Sequence, residues 1–155
     1  MKIRKAEEKD IPEIGVLLLQ VAKVHADARP DLFRAGARKY GDDELREILG
    51  DARRPVFVAE EDGAVKGYAF CIMREYRGDR LFNDMKTLYI DDICVDERER
   101  GGGVGRALYE FAENYAGESG CYNVTLNVWS CNPAAEKFYR ACGLVPQKTV
   151  LEKIL

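Results

Sequence analysis

The sequence predicts a single α/β domain built on a mixed sheet, with the element order β-α-α-β-β-β-α-β-α-β. Three observations lead there. Segments of strand periodicity alternate with segments of helical periodicity, which places helices on sheet faces. The 155 residues amount to one domain at about 150 residues per domain, so residues 1–155 are read as one unit. Hydrophobic residues make up 46% and charged residues 33%, the balance of a chain that buries a core.

Ile3–Ala6 reads as a short opening strand. A helix start follows at Asp10-Ile-Pro-Glu13, with Asp10 as N-cap, Glu13 reaching back to it, and Pro12 in the first turn where no N–H partner is lost. Ile11, Ile14, Leu17, Leu18 and Val21 lie at helical spacing and form one buried stripe. Arg29-Pro30 ends that helix. A second, short helix is expected over Asp42–Leu49. Pro55–Glu60 is a strand, Glu61-Asp-Gly63 a turn, and Val65–Tyr76 the returning strand of a hairpin. Lys86–Val95 is rich in β-formers. A helix runs from Val104 to about Glu118, and Cys121–Val128 reads as a buried strand. Asn132-Pro133 starts the last helix, with Asn as cap and proline at the first helical position, and Gly143 ends it. Leu144–Leu155 is expected to supply one or two closing strands.

Several function classes are excluded or disfavoured. No apolar run approaches the length of a membrane span, and the acidic residues after Met1-Lys-Ile-Arg4 do not make a secretory leader. The 24 Lys and Arg against 27 Asp and Glu leave a net charge of −3, which disfavours a nucleic-acid partner. The five cysteines (Cys71, Cys94, Cys121, Cys131, Cys142) lack C-x-x-C spacing, and His25 is the single histidine. No metal is expected, and the cysteines are read as reduced thiols of a cytoplasmic protein.

The chemistry begins at Arg100-Gly-Gly-Gly-Val-Gly-Arg106, between a predicted strand and a predicted helix. Exposed N–H groups and the positive helix end converge there on one spot, and glycines admit a pyrophosphate to the backbone. Arg98, Arg100 and Arg106 can add charge-assisted contacts. The P-loop pattern fails, because Arg106 stands five positions after Gly101. The dinucleotide fingerprint fails too, because Arg106 occupies its last glycine position. A plain turn rarely needs four glycines in five positions.

The stretch Val95–Leu108 (VDERERGGGVGRAL) resembles the acetyl-CoA signature of the GNAT N-acetyltransferase superfamily, Arg/Gln-x-x-Gly-x-Gly/Ala, through Arg100, Gly103 and Gly105. Leu126–Leu144 (LNVWSCNPAAEKFYRACGL) is similar to the family's late strand, Asn-capped helix, Phe-Tyr pair and glycine exit. The resemblance implies that the fourth and fifth strands splay and that the pantetheine arm of acetyl-CoA lies in the wedge. Backbone groups of Ile93, Cys94 and Val95 would then pair with the pantetheine, as an added strand would. The N–H groups of Arg100, Gly101, Gly102, Gly103, Val104, Gly105 and Arg106 would hold the pyrophosphate. Asn132 would face the pantetheine arm, cap its helix, or do both.

The implied reaction is attack of a primary amine, on a small molecule or a peptide, on the thioester in a ternary complex. The amine must lose a proton first, which calls for a general base. A strand N–H would stabilise the oxyanion. The leaving thiolate needs a proton, and the resemblance places Tyr139 as donor; packing, with Phe138 as its neighbour, is the alternative. Asp91 and Asp92 are the candidate bases. Strict alternation sends them to opposite faces, unless a bulge intervenes. His25 is a weaker candidate. A ping-pong route through Cys94 is disfavoured, since nothing nearby lowers its pKa. Trp129 packs at the mouth of the late strand or lines the acceptor channel. Transfer of a longer acyl group, or a non-catalytic CoA- or acyl-CoA-binding regulatory module, remains the alternative. A homodimer through late strands or sheet edges is expected, with Lys148–Leu155 facing either the core or a partner.

Overall fold

A computed structural model describes residues 1–155. Its sheet has the order β1-β2-β3-β4-β5, formed by β1 (Lys2–Lys5), β2 (Val56–Glu61), β3 (Ala64–Tyr76), β4 (Met85–Val95) and β5 (Asn123–Leu126). The first four strands run antiparallel to their neighbours, and β5 joins β4 in parallel. The helices are α1 (Ile11–Ala28), α2 (Asp42–Gly50), α3 (Val104–Glu118) and α4 (Pro133–Ala141).

Strand alternation sorts the core into two layers. Val56, Val58, Val65, Tyr68 and Phe70 pack with Ile11, Ile14, Leu17 and Leu18 of α1 and Leu45 and Ile48 of α2. Phe57, Ala59, Ala69, Cys71, Leu88 and Ile90 pack on the opposite face against Leu108 and Ala112 of α3. The period-2 pleat separates neighbours such as Val56 and Phe57. Each fully buried large side chain contributes roughly 1.5–3 kcal/mol of burial free energy. The β2–β3 hairpin turns at Asp62 and Gly63, with φ of 52° and 77°, the primed turn that matches strand twist.

Three expectations are corrected. The predicted cap of α1 is not formed. Asp10 is itself helical, and its carboxylate accepts the Glu7 N–H at 2.8 Å and both terminal nitrogens of Arg4 at 2.7 and 2.9 Å. Glu13 accepts the N–H of Val65 at 2.6 Å instead of reaching back. A single 3₁₀ turn before α1 moves the start signal to Glu7. Second, β5 covers Asn123–Leu126, not Cys121–Val128, and is half-buried. The Cys121 N–H closes onto the Ala116 carbonyl at the end of α3, and Asn127 turns its amide to the Tyr89 hydroxyl at 3.2 Å.

Third, the closing strands over Leu144–Leu155 do not form in this chain. Residues 145–155 are exposed and pair with no strand. Adjacent apolar pairs, Val150-Leu151 and Ile154-Leu155, put apolar groups on both faces of any strand built there, and one molecule offers the segment no second layer.

Candidate active site

The pairing of β4 with β5 runs only from Thr87↔Asn123 to Ile90↔Leu126. Beyond Ile90, β4 continues to Val95 paired on its β3 side alone, with Ile93 opposite Ala69, Cys94 opposite Tyr68 and Val95 opposite Gly67. The two strands part as expected, and residues 91–95 present an open edge. Gly67 makes the approach of α3 to this edge possible: a Cβ there would lie 2.7 Å from the Cys94 carbonyl oxygen and 3.1 Å from Leu108. Nothing in the sequence singled out Gly67, because its partner is 27 residues away.

At the divergence β4 bulges. Phe70 pairs with Asp92 but Cys71 pairs with Ile90, so Asp91 is the extra residue. The bulge resolves the question of faces: both carboxylates point to the α1–α2 side. Asp92 accepts the Tyr68 hydroxyl at 2.7 Å. Asp91 accepts the Tyr40 hydroxyl at 2.6 Å and pairs with the Lys39 ammonium at 2.8 Å. Lys39 and Tyr40, just before α2, were not foreseen from sequence. The Tyr40 ring rests 5.4 Å from that of Phe70.

Burial pushes the Asp92 carboxyl up to about 6; the Tyr68 hydroxyl and the Lys39 charge pull against that rise, while Asp91 adds to it. The Tyr139 phenol is raised above its ordinary range by burial and then by the negative charge of Asp92, so it stays protonated and lies within electrostatic reach of that carboxylate. Phe138 packs 3.5 Å from the Cβ position of Gly105 and meets the Tyr139 ring at 5.1 Å between centroids. Burial pushes the Cys94 thiol up to about 12, with Asp92 adding to the rise, and it points at the Leu17 carbonyl at 3.5 Å. Cys94 and Cys71 are buried small hydrophobes, as read from the sequence; Cys142 is half-buried.

The glycine loop closes the other end of the open edge. Gly101 and Gly103 have φ of 83° and 84°, where a side chain would be strained. The N–H groups of Gly103, Val104, Gly105 and Arg106 have no acceptor in the chain, and no acidic residue stands in the first turn of α3. Such an end attracts an anion. The three arginines differ. Arg98 is spent on Asp96 at 2.8 Å, and Arg106 on the Ala141 carbonyl at 3.1 Å and on Glu110. Arg100 makes neither a hydrogen bond nor an ion pair through its side chain and is the free cation of the three. Asn132 caps α4 by accepting the Ala135 N–H at 3.2 Å, and that use leaves its amide N–H₂ free.

His25, Phe33 and Trp129 form an aromatic row. His25 and Phe33 stack with centroids 5.1 Å apart, and Phe33 meets Trp129 edge-on at 5.1 Å. Burial and then Lys39 lower the pKa of His25, which favours the neutral imidazole stacked on Phe33. Trp129 follows β5 by three residues, is 44% exposed, and accepts the Asn132 N–H through its carbonyl at 2.9 Å. A hollow of about 520 Å³ lined by Asp84, Met85, Lys86, Gly120, Cys121 and Tyr122 lies at the other end of the β4–β5 pair and touches none of these groups.

Comparison with known proteins identifies the family and the fold. The profile of the Acetyltransferase (GNAT) family matches residues 21–144. The glucosamine 6-phosphate N-acetyltransferase of Arabidopsis thaliana is 30% identical over 156 aligned residues, covering 98% of this chain and 95% of that protein. Among solved structures, a mutant of the BH1408 protein from Bacillus halodurans superposes with a TM-score of 0.95 at 29% identity, covering 100% of this chain and 99% of that one. An aminoglycoside N-acetyltransferase in complex with CoA shares the fold, with a TM-score of 0.74 at 19% identity over 99% of this chain and 98% of the other. The chain belongs to the GNAT acetyltransferase family and is an N-acetyltransferase.

Proposed function

We propose that this protein transfers the acetyl group of acetyl-CoA to a primary amine by direct attack in a ternary complex. The observation that carries the proposal is the open edge of β4 beyond Ile90, which holds Asp92 and leads to the unpaired amides of Gly103–Arg106; burial pushes the Asp92 carboxyl up to about 6. A base with a pKa near the working pH has both the right protonation state and useful basicity. Asp92, directly or through a water, takes the proton of the acceptor ammonium. The neutral amine attacks the thioester carbon, and the carbonyl oxygen becomes an oxyanion stabilised by a free N–H of the Ile93–Val95 edge. Collapse breaks the carbon–sulfur bond, and the Tyr139 hydroxyl gives the leaving thiolate its proton. The proton shed by the attacking nitrogen passes through water to restore the phenol, while Asp92 returns the first proton to solvent. Asp91, engaged by Tyr40 and Lys39, holds the residues before α2 at the site and leaves the base role to its neighbour.

The co-substrate fits the groups present. The amides of Gly103–Arg106 and the Arg100 side chain suit its pyrophosphate, the open edge of Ile93–Val95 its pantetheine amides, and Asn132 the same arm. An amino sugar is the acceptor class with support. The Arabidopsis relative is named for glucosamine 6-phosphate, and Phe33 and Trp129 offer an aromatic wall to a sugar ring. The five free cysteines support a cytoplasmic setting.

The test is thiol release from acetyl-CoA across glucosamine 6-phosphate, glucosamine, aminoglycosides, polyamines, amino acids and short peptides. Release above the hydrolysis rate with at least one amine, strongest with an amino sugar, is expected. CoA binding without release from any of these amines would overturn direct transfer from acetyl-CoA to a primary amine.

A further inference from the structure

The helix layer on the α1–α2 face of the sheet stops short of the strand ends. Its buried members on β3 finish at Phe70. Past Phe70 the pleat brings Ile72 and Arg74 to the same face, with Tyr89 and Thr87 of β4 opposite them in the register. Ile72 is half-buried and Arg74 is exposed, so this stretch of sheet is open, and it adjoins the bulge at Asp91. Arg54, just before β2, joins it. The carbonyls of Arg53 and Pro55 accept the N–H groups of Met73 and Cys71 at 2.7 and 2.9 Å, which sets Arg54 beside Ile72 and on the face of Val56. The open face thus carries two cations, each against a tyrosine. The Arg74 guanidinium carbon lies 3.8 Å from the Tyr89 ring centroid, and that of Arg54 lies 5.7 Å from the Tyr40 centroid. Neither is paired with a carboxylate, whereas Arg77, three residues beyond Arg74, is spent on Glu75 at 2.8 Å. Asp91, the carboxylate at the edge of this face, is already engaged by Lys39 and Tyr40. A guanidinium stacked on a ring is held in place and keeps its in-plane N–H donors, the fork that grips an oxyanion.

We infer that this open face is an anion subsite for the acceptor, in which Arg74 and Arg54, flanking Ile72, hold an oxyanion carried by the same molecule as the reacting amine. The span suits such a molecule. Tyr89, under Arg74, precedes Asp91 by two residues and Asp92 by three, about 6–10 Å at 3.3 Å per residue. One sugar ring with an amine on one side and a phosphate on the other bridges that length. A phosphate with two charges matches two guanidiniums better than a carboxylate with one. The remaining polar groups on the face are neutral and partnered, Thr87 with Asn123 and Tyr89 with Asn127. The subsite therefore sorts amine acceptors by charge. An amine that carries an oxyanion is held, and a polycationic one, such as an aminoglycoside or a polyamine, meets like charge. The inference rests on the acetyl-transfer reading and names what the acceptor carries beyond its amine.

The experiment is calorimetry on the full-length protein saturated with CoA, titrated with glucosamine 6-phosphate and with glucosamine above the second phosphate pKa of about 6. Glucosamine 6-phosphate should bind at least about tenfold more tightly, the scale of a charge-assisted contact, and high salt should narrow that gap. Arg74→Gln should remove most of the difference and leave the affinity for glucosamine unchanged, and Arg54→Gln should act in the same direction. Arg74→Lys keeps the charge, loses the fork and should fall between. Arg77→Gln, whose partner is Glu75, should bind both ligands as the unaltered protein does. 6-Aminohexanoate, with a carboxylate for the phosphate, separates the two oxyanions and should bind more weakly than glucosamine 6-phosphate. No binding of glucosamine 6-phosphate, equal affinity for it and for glucosamine, tighter binding of an aminoglycoside, or an Arg74→Gln variant that weakens both sugars alike overturns the subsite. Binding needs no turnover. The expected binding pattern without thiol release would overturn the transfer reading and leave the subsite standing, so the two fail separately.

Discussion

Asp91 and Asp92 are chain neighbours whose carboxylates reach the same side of the sheet, the first to Tyr40 and the second to Tyr68. In a regular strand they would face opposite ways. The bulge at Asp91 turns a pair that alternation would separate into one acidic site under the α1–α2 segment. Within it the two groups have different surroundings. Asp91 has a cation beside it, and Asp92 has a buried phenol.

Asp92→Asn should lower kcat/KM by roughly 10²–10⁴-fold, the scale of a lost general base. In the unaltered protein the rate should rise through pH of about 6, because only the ionised carboxylate accepts a proton. The stability sign is the reverse. A carboxyl raised from 3.8 to about 6 by burial favours the folded state below pH 3.8, and that contribution is lost as pH rises through 6. Asp92→Asn should therefore raise Tm more at pH 8 than at pH 4. Thermal melts at the two pH values check it, and an equal effect at both removes the burial argument.

Lys39→Met tests the electrostatic link. The Lys39 charge holds the Asp92 pKa down, so its removal should shift the acidic limb of the rate profile to higher pH. Tyr40→Phe removes the 2.6 Å hydrogen bond to Asp91 and should raise the acceptor KM several-fold with little change in that limb. An unmoved limb in Lys39→Met would contradict the arrangement.

Tyr139→Phe retains the packing beside Phe138 and removes the hydroxyl. Expected are a loss of kcat of about 10–100-fold and a KM for acetyl-CoA changed less than about threefold. The loss should shrink with acyl donors whose thiolate is a better leaving group. An unchanged rate with a good acceptor takes Tyr139 out of the proton transfer.

Arg100→Ala should weaken acetyl-CoA binding about tenfold, the scale of one charge-assisted contact. Arg98→Ala should matter less, since Asp96 already holds that guanidinium. Calorimetry with CoA and with dephospho-CoA compares the two variants.

Gly67→Ala places a Cβ against the Cys94 carbonyl at 2.7 Å. The backbone must move or α3 must retreat, at a cost of about 1–3 kcal/mol. Denaturant midpoints should fall, and the pantetheine edge on β4 should lose affinity for CoA in the same variant.

Most of the fold was legible because its signals are local. The α1 stripe, the Asp62-Gly63 turn, the glycine loop before α3 and the Asn132-Pro133 start each occupy a few consecutive residues, and each lies where expected. The misses had non-local causes. The cap at Asp10 lost to Arg4, a partner on another element, and β5 was shortened by contacts its ends make with α3 and Tyr89.

The sequence by itself determined the order of the elements up to α4, the glycine turn before α3 and the pool of carboxylates and phenols from which a site is built, because spacing and turn chemistry act over less than ten residues. The tertiary structure alone decided which carboxylate has an ion pair and which has only a phenol, which arginine is unspent, and that the last segment pairs with no strand of its own chain. Those outcomes depend on a bulge in the β3–β4 register, on pairs such as Tyr40 with Asp91 across 51 residues, and on a segment whose backbone finds no partner within its own chain. Burial and long-range pairing set charge and reactivity, and neither is a property of a residue's neighbours in sequence.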